Sequence, residues 1–159
     1  MSKRVYVITS SDSCYAGERE DISGPTAIAM LREAGWELTG YAVLPDERQL
    51  LAEKLRAVCD GGLAELLITT GGTGFSQRDC MPEVTAEVAE RMVPGIPEAM
   101  RWYSLQITPR AMLSRAAAGL RGNTLIVNLP GSPKAVRENL GAILDTLPHA
   151  MEMLRGGGH

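Results

Sequence analysis

Two aspartates and a run of glycines carry the chemistry this sequence can perform. Asp46 and Asp79 each follow an apolar, strand-like run. As hard oxygen donors near phosphates they suit Mg²⁺, which keeps several waters and shares the phosphate oxygens. Ahead of Asp79 lies Thr69-Thr70-Gly71-Gly72-Thr73-Gly74, whose glycines permit positive φ and let backbone N–H groups approach an anion without Cβ obstruction. The segment is neither a P-loop nor a dinucleotide fingerprint, since GxxxxGK[ST] and GxGxxG are absent, and alone it reads equally as a tight turn. Asp46 reads also as a helix N-cap after Pro45, and Asp79, beside Arg78, as half of a surface ion pair.

Two further polar segments are candidates for the same ligand. Ser11 and Asp12 open a loop that runs through Gly17 and Asp21 to Ser23-Gly24-Pro25, about a dozen residues where a shorter connection is usual. Within it, Ser23 reads as a helix cap and Asp21 as a charge favoured at a helix start. Asn128-Leu129-Pro130-Gly131-Ser132 leads from an apolar run to a helix N-terminus, where free N–H groups can bind an anion and Ser132 is either ligand contact or cap. Cys80 reads as packing. His149 and His159, the two histidines, lie near the end of the sequence and offer little to Ser-His or Cys-His catalysis. The polar work falls to carboxylates, backbone amides and a metal.

Alternating strands and helices must position these residues. Lys3 to Thr9, Trp36 to Leu44, Ala64 to Thr69 and Thr124 to Leu129 read as strands, apolar on both faces. Helices are expected over residues 25 to 34, from Asp46 through Val58, from Pro82 through Arg91, and over Ile96 to Ile107 and Ala111 to Leu120. A last helix begins near Pro133 with Val136, Leu140, Ile143, Leu144 and Leu147 on one side, and Pro148 should kink or end it unless it begins a new turn. This alternation predicts an α/β fold, a three-layer α/β/α sandwich with a mostly parallel central sheet. Ligands bind such sheets beyond the carboxyl ends of the strands, where all four polar segments fall.

With 159 residues and 45% hydrophobic composition, the chain is expected to form a single domain over residues 1–155, with a flexible glycine-rich tail at 156–159. A formal charge of -3 and a pI near 5.4 disfavour nucleic acid or an anionic membrane as partner. MSKRVYVITSSD reads as the start of a strand and not as a signal peptide, and no stretch approaches transmembrane length, so a cytoplasmic setting is expected. Cys14, Cys59 and Cys80 are odd in number and lack CxxC spacing, which points to reduced thiols.

In this order, the segments resemble the family of molybdopterin adenylyltransferases and related molybdenum cofactor biosynthesis proteins, which includes the G domain of gephyrin. The resemblance spans nearly the whole chain. It is carried by Ser11-Asp12, Ser23-Gly24-Pro25, Pro45-Asp46, Thr70-Gly71-Gly72-Thr73-Gly74, Arg78-Asp79, Pro82, Pro94-Gly95, Leu113-Ser114-Arg115, Gly119 and Asn128-Leu129-Pro130-Gly131. It implies transfer of AMP from Mg-ATP to molybdopterin with release of pyrophosphate, by a homotrimer that passes its product to a molybdenum-inserting protein. It implies that Asp46 and Asp79 are catalytic and hold Mg²⁺. Ser11, Asp12, Thr70, Gly71, Gly72, Thr73, Gly74, Ser114, Asn128, Pro130, Gly131 and Ser132 are the matching substrate-binding positions. No histidine base is required, because the terminal phosphate of molybdopterin is already an anionic nucleophile. Alignment and charge neutralisation do the work. One departure stands out: where the family often has Asp-Val-Thr-Pro, this chain has Asp79-Cys80-Met81-Pro82 and lacks that threonine hydroxyl. The competing readings are a paralogue that binds the pterin without transfer and a flavodoxin-like regulatory module that binds a phosphate. Retention of both aspartates favours the enzyme.

Overall fold

The computed structural model describes residues 3–157; residues 1 and 2 of the expected domain, and residues 158 and 159 of the expected tail, lie outside the described residues. The elements in chain order are β1 (Arg4–Ser10), α1 (Asp12–Tyr15), α2 (Ser23–Glu33), β2 (Glu37–Leu44), α3 (Arg48–Asp60), β3 (Leu66–Thr70) and α4 (Met81–Val88). There follow β4 (Arg91–Met92), α5 (Gly95–Leu105), a 3-10 helix (Pro109–Leu113), β5 (Ala118–Arg121), β6 (Thr124–Leu129), α6 (Pro133–Ile143) and α7 (Leu147–Leu154). The six strands form one sheet in the order β2-β1-β3-β6-β5-β4. The first four pair in parallel, while β5 and β4 run antiparallel at one edge.

Alternation along the strands sorts their side chains into two cores. Val5, Val7, Leu66, Ile68, Leu125 and Val127 face α2, α5, α6 and α7. Tyr6, Ile8, Leu67 and Ile126 face α3 and α4, where Leu51, Leu55, Met81 and Val84 are fully buried. Burying each such aliphatic side chain is worth about 1.5–3 kcal/mol, and the two faces together give the three-layer α/β/α sandwich expected from the sequence. No helix among the described residues is long and apolar enough to cross a membrane.

The structure corrects several local expectations. β2 is an edge strand whose residues alternate between exposed and half-buried, so it is not apolar on both faces. The helix beginning near Pro82 ends at Val88, and Arg91 belongs to a strand. The expected helix from Ala111 to Leu120 is a 3-10 turn followed by β5. Alanine-rich sequence favours helix, but tertiary contacts override it here. The backbone of Ala117 exchanges hydrogen bonds with Asn128, through Asn128 N–H to Ala117 O at 3.0 Å and Ala117 N–H to Asn128 Oδ1 at 3.1 Å. Gly119 lies so close to α4 that a Cβ there would come within 2.5 Å of Ala89 Cβ. Pro148 resolves as the early proline of a new helix, α7.

Chain order creates a crevice. From β1 the chain passes along one face to β2 and returns along the other face to β3, on the opposite side of β1. The carboxyl ends of β1 and β3 therefore form a topological switch point, where loops leave in opposite directions and expose the sheet's end.

Candidate functional site

Thr9 and Ser10 end β1, and Thr70 ends β3; Thr9 Oγ1 and Thr70 Oγ1 lie 2.9 Å apart across the switch point. Above them is a cavity of about 270 Å³ lined by Ser11, Asp46, Gly71, Gly72, Asp79 and Gly131, among others. Asp46 and Asp79, which come from different strand-to-helix junctions, both line it. The guanidinium of Arg19, also in the lining, has no hydrogen-bond or ion-pair partner among the described residues and can receive an anion. Gly71 and Gly72 have φ of +87° and +73°, the left-handed region that favours glycine. A Cβ on Gly71 would lie 2.4 Å from Ser10 O.

Asp46 is not a helix cap, the alternative reading its sequence allowed; Glu47 occupies the N-cap position of α3. Its carboxylate instead accepts from Ser10 Oγ at 2.5 Å and from the Asp12 N–H at 3.1 Å. Asp12 does not line the cavity. Its carboxylate takes the Asp46 N–H at 2.9 Å and a two-point contact from Arg78, Nε and Nη2 each at 2.9 Å. The guanidinium, followed by the Asp46 N–H, lowers the Asp12 pKa from its ordinary value. Asp79 Oδ2 accepts from the Ser76 N–H at 3.0 Å, closing a tight turn.

A second cavity, also about 270 Å³, shares a boundary with the first. Gly71 and Gly72 face the first, whereas Thr73 and Gly74 face the second; Gly131 lines the first and Pro130 the second. Ser114 lines the second cavity with Arg101, Arg110 and Asn139. The glycine loop and the turn after β6 thus form a crest between two compartments.

Two further expected contacts, Asn128 and Ser132, have different places. Asn128 is fully buried, donating to Thr69 Oγ1 at 3.1 Å and Thr85 Oγ1 at 2.8 Å, so it braces β6, β3 and α4 and lines neither cavity. Ser132 is the cap of α6, accepting from the Ala135 N–H at 3.2 Å. Ser11 lines the first cavity while also capping α1 through the Cys14 N–H at 3.2 Å. Ser23, expected as a cap, lies inside α2 and donates to Gly131 O at 2.6 Å, while Asp21 accepts from the Gly24 N–H at 3.2 Å.

Sequence reasoning missed Ser10, Arg19, Arg78 and Arg115 as working residues. Ser10 ends the first strand beside Ser11-Asp12, and Arg115 closes the Leu113-Ser114-Arg115 triplet, so position held a signal. For α4, Cys80 occupies the N-cap and makes no side-chain cap bond. The Met81 N–H donates to Gly72 O at 3.1 Å, and the Met81 side chain enters the core.

Among the described residues, no group of three or more His, Cys, Asp and Glu side chains is placed to hold a metal by itself. Asp46 and Asp79, two of the four acidic residues that line the first cavity with Glu20 and Asp21, suit an ion that completes its shell from phosphate oxygens and water.

Comparison with known proteins gives a consistent result. A family model described as a probable molybdopterin binding domain matches residues 6–149. A molybdopterin adenylyltransferase of Helicobacter pylori is 40% identical over 152 residues, covering 94% of this chain and 86% of that protein. Gephyrin of Dictyostelium discoideum is 41% identical over 160 residues, covering 94% of this chain and 22% of that protein. The crystal structure of a molybdopterin biosynthesis enzyme, MoaB, of Thermus thermophilus matches with a TM-score of 0.92 at 44% identity, covering 97% of each chain.

Proposed function

This chain belongs to the molybdopterin-binding domain family of molybdenum cofactor biosynthesis, and from that premise we propose that it is a molybdopterin adenylyltransferase. It moves AMP from Mg-ATP to molybdopterin and releases pyrophosphate. The observation that carries this reading is that Asp46 and Asp79 line one cavity together with Gly71 and Gly72, with a second compartment across the glycine crest. A two-substrate reaction needs two adjoining spaces and one place where two anions can approach.

In this reading a terminal phosphate oxygen of molybdopterin forms a bond to the α-phosphorus of ATP. The bond from that phosphorus to the bridging oxygen of the β-phosphate breaks, and its electron pair leaves with pyrophosphate. No proton needs to be removed from the nucleophile. Asp46 and Asp79 would hold Mg²⁺, which supplies charge neutralisation at the phosphates. Asp46 is aimed by the Ser10 hydroxyl and the Asp12 N–H, while Arg19 offers a cation to a phosphate. The Gly72 backbone N–H, next to a Gly71 whose own N–H is held by Leu129 O at 3.1 Å, orients phosphate oxygens without a Cβ in the way. Among the proposed substrate contacts, Ser11, Thr70, Gly71, Gly72 and Gly131 act from the first cavity, and Thr73, Gly74, Ser114 and Pro130 from the second.

The reading includes a cytoplasmic setting, where ATP is supplied, and transfer of the product to a molybdenum-inserting protein. It also includes a homotrimer, supported by large apolar side chains left exposed on α5 and the 3-10 helix, with Trp102 66% and Met112 62% exposed. Purified protein given molybdopterin and Mg-ATP should release pyrophosphate and form adenylylated pterin in equal amounts. Binding of the pterin with neither product would refute transfer.

A further inference from the structure

We propose that Arg115 is a positioning residue for this reaction, a plate that holds the glycine loop and Asp79 at a set distance from each other. The proposal rests on the adenylyl-transfer reading for its kinetic part and on geometry alone for its structural part. Arg115 Nε donates to Gly74 O at 2.8 Å, and Nη2 donates to Asp79 O at 3.0 Å. The remaining terminal nitrogen, Nη1, donates to Glu83 Oε2 on α4 at 2.6 Å. The Arg115 backbone N–H meets Thr73 O at 3.0 Å. One side chain therefore grips both ends of the turn that presents Asp79 and ties it to the helix that follows.

Two features make this more than a surface ion pair. Arg115 lines neither cavity, and each of its nitrogens capable of donating is directed to a protein oxygen, so it acts through the loop and not on a ligand. The loop's other holds are the half-exposed Arg78–Asp12 pair, the turn bonds between Ser76 and Asp79, and the Met81 N–H on Gly72 O, none of which reaches the Gly74 or Asp79 carbonyl. Phe75, Ser76, Gln77 and Arg78 are exposed, and the helix start after Asp79 has no side-chain cap. The Met81 side chain, which precedes Pro82 in that helix start, is buried in the core and offers no polar group. The fork of Arg115 supplies an external hold on the Asp79 carbonyl. A planar guanidinium serves two separated carbonyls at once, which a lysine ammonium on a flexible stem cannot reproduce. Small misplacements of reacting groups are costly, on the order of a hundredfold in rate for about 1 Å.

The test compares Arg115→Lys with Glu83→Gln. Lysine keeps the charge opposite Glu83 but loses the two-carbonyl grip; glutamine at 83 removes the ion pair but leaves that grip. Arg115→Lys should lower kcat roughly 10- to 100-fold while the KM for molybdopterin stays within about threefold. Glu83→Gln should stay close to wild type. Amide hydrogen exchange over residues 73–80 should quicken in Arg115→Lys and not in Glu83→Gln, a readout independent of turnover. An inactive wild type would overturn the adenylyl-transfer reading and leave the exchange measurement to decide the structural claim. A normal kcat in Arg115→Lys beside an active wild type, unchanged exchange, equal losses in both variants, or global unfolding of Arg115→Lys overturns the positioning role.

Discussion

Asp12 and Asp46 clasp each other through their backbones: the N–H of Asp46 donates to Asp12 Oδ1 at 2.9 Å, and the N–H of Asp12 donates to Asp46 Oδ2 at 3.1 Å. The loop after β1 and the junction after β2 are thereby joined at the first cavity. The clasp fixes the direction of the Asp46 carboxylate while Ser10 Oγ takes its other oxygen.

Asp12→Asn should weaken this clasp without touching the cavity wall. The amide retains an oxygen for the Asp46 N–H but loses the charge that holds Arg78 in a two-point contact. Turnover is expected to fall about tenfold, roughly 1.4 kcal/mol of transition-state stabilisation, with pterin binding nearly unchanged. Steady-state kinetics and equilibrium binding on the same preparation check this. A loss of binding as large as the loss of turnover would make Asp12 a ligand contact instead.

Acid should loosen the site through the same residue. The Arg78 hydrogen bond, then the Asp46 N–H, holds the Asp12 pKa below its ordinary value, and Arg115 does the same for Glu83. A carboxylate with a depressed folded-state pKa binds protons more weakly than in the unfolded chain, so it contributes stability above the ordinary carboxylate range, about pH 4. That contribution is lost as pH falls through the folded-state value. Melting temperatures from neutral pH downward should therefore show wild type and Asp12→Asn converging at acid pH. Parallel curves would remove Asp12 from the acid response.

Gly71 and Gly72 should separate when each is changed to alanine. Both have positive φ, which costs a non-glycine residue roughly 1–2 kcal/mol. At Gly71 the new Cβ also strikes the Ser10 carbonyl at 2.4 Å, so the fold itself should suffer. At Gly72 the nearest atoms are Met81 Cβ at 3.3 Å, Met81 N at 3.5 Å and Asp46 Oδ1 at 3.6 Å, so the protein should fold while activity drops. Thermal melts and turnover of the two variants give the comparison. Full activity in Gly72→Ala would reduce that glycine to a turn residue.

What was legible in the sequence was what local residue type decides. Thr124 to Leu129 is a strand with the expected limits because it is a continuous apolar run bounded by Asn123 and Pro130. That Asp46, Asp79 and the glycine loop lie at the carboxyl edge of the sheet was legible because each follows an apolar, strand-like run. The segment from 111 to 120 was not, since its extended form depends on Asn128 holding Ala117 and on Ala89 leaving no room above Gly119. Asn128 stands near the end of a strand, a place that suggests a ligand contact, but its side chain is taken by three distant groups that no local pattern reveals. The work of Arg115 escaped notice for a related reason, as two of its side-chain contacts are backbone carbonyls.

The central claim is that Asp46 and Asp79 form one centre for adenylyl transfer. Its most direct test is formation of pyrophosphate and adenylylated molybdopterin by wild type, Asp46→Asn, Asp79→Asn and the double variant, across a Mg²⁺ titration with folding verified. Each single change should cost about a hundredfold or more, and the double should cost little beyond either, because residues acting as a unit are strongly non-additive. Raised Mg²⁺ should partly restore the single variants and not the double. Multiplicative losses with an unchanged Mg²⁺ dependence, or a wild type that forms no adenylylated pterin, would contradict the account.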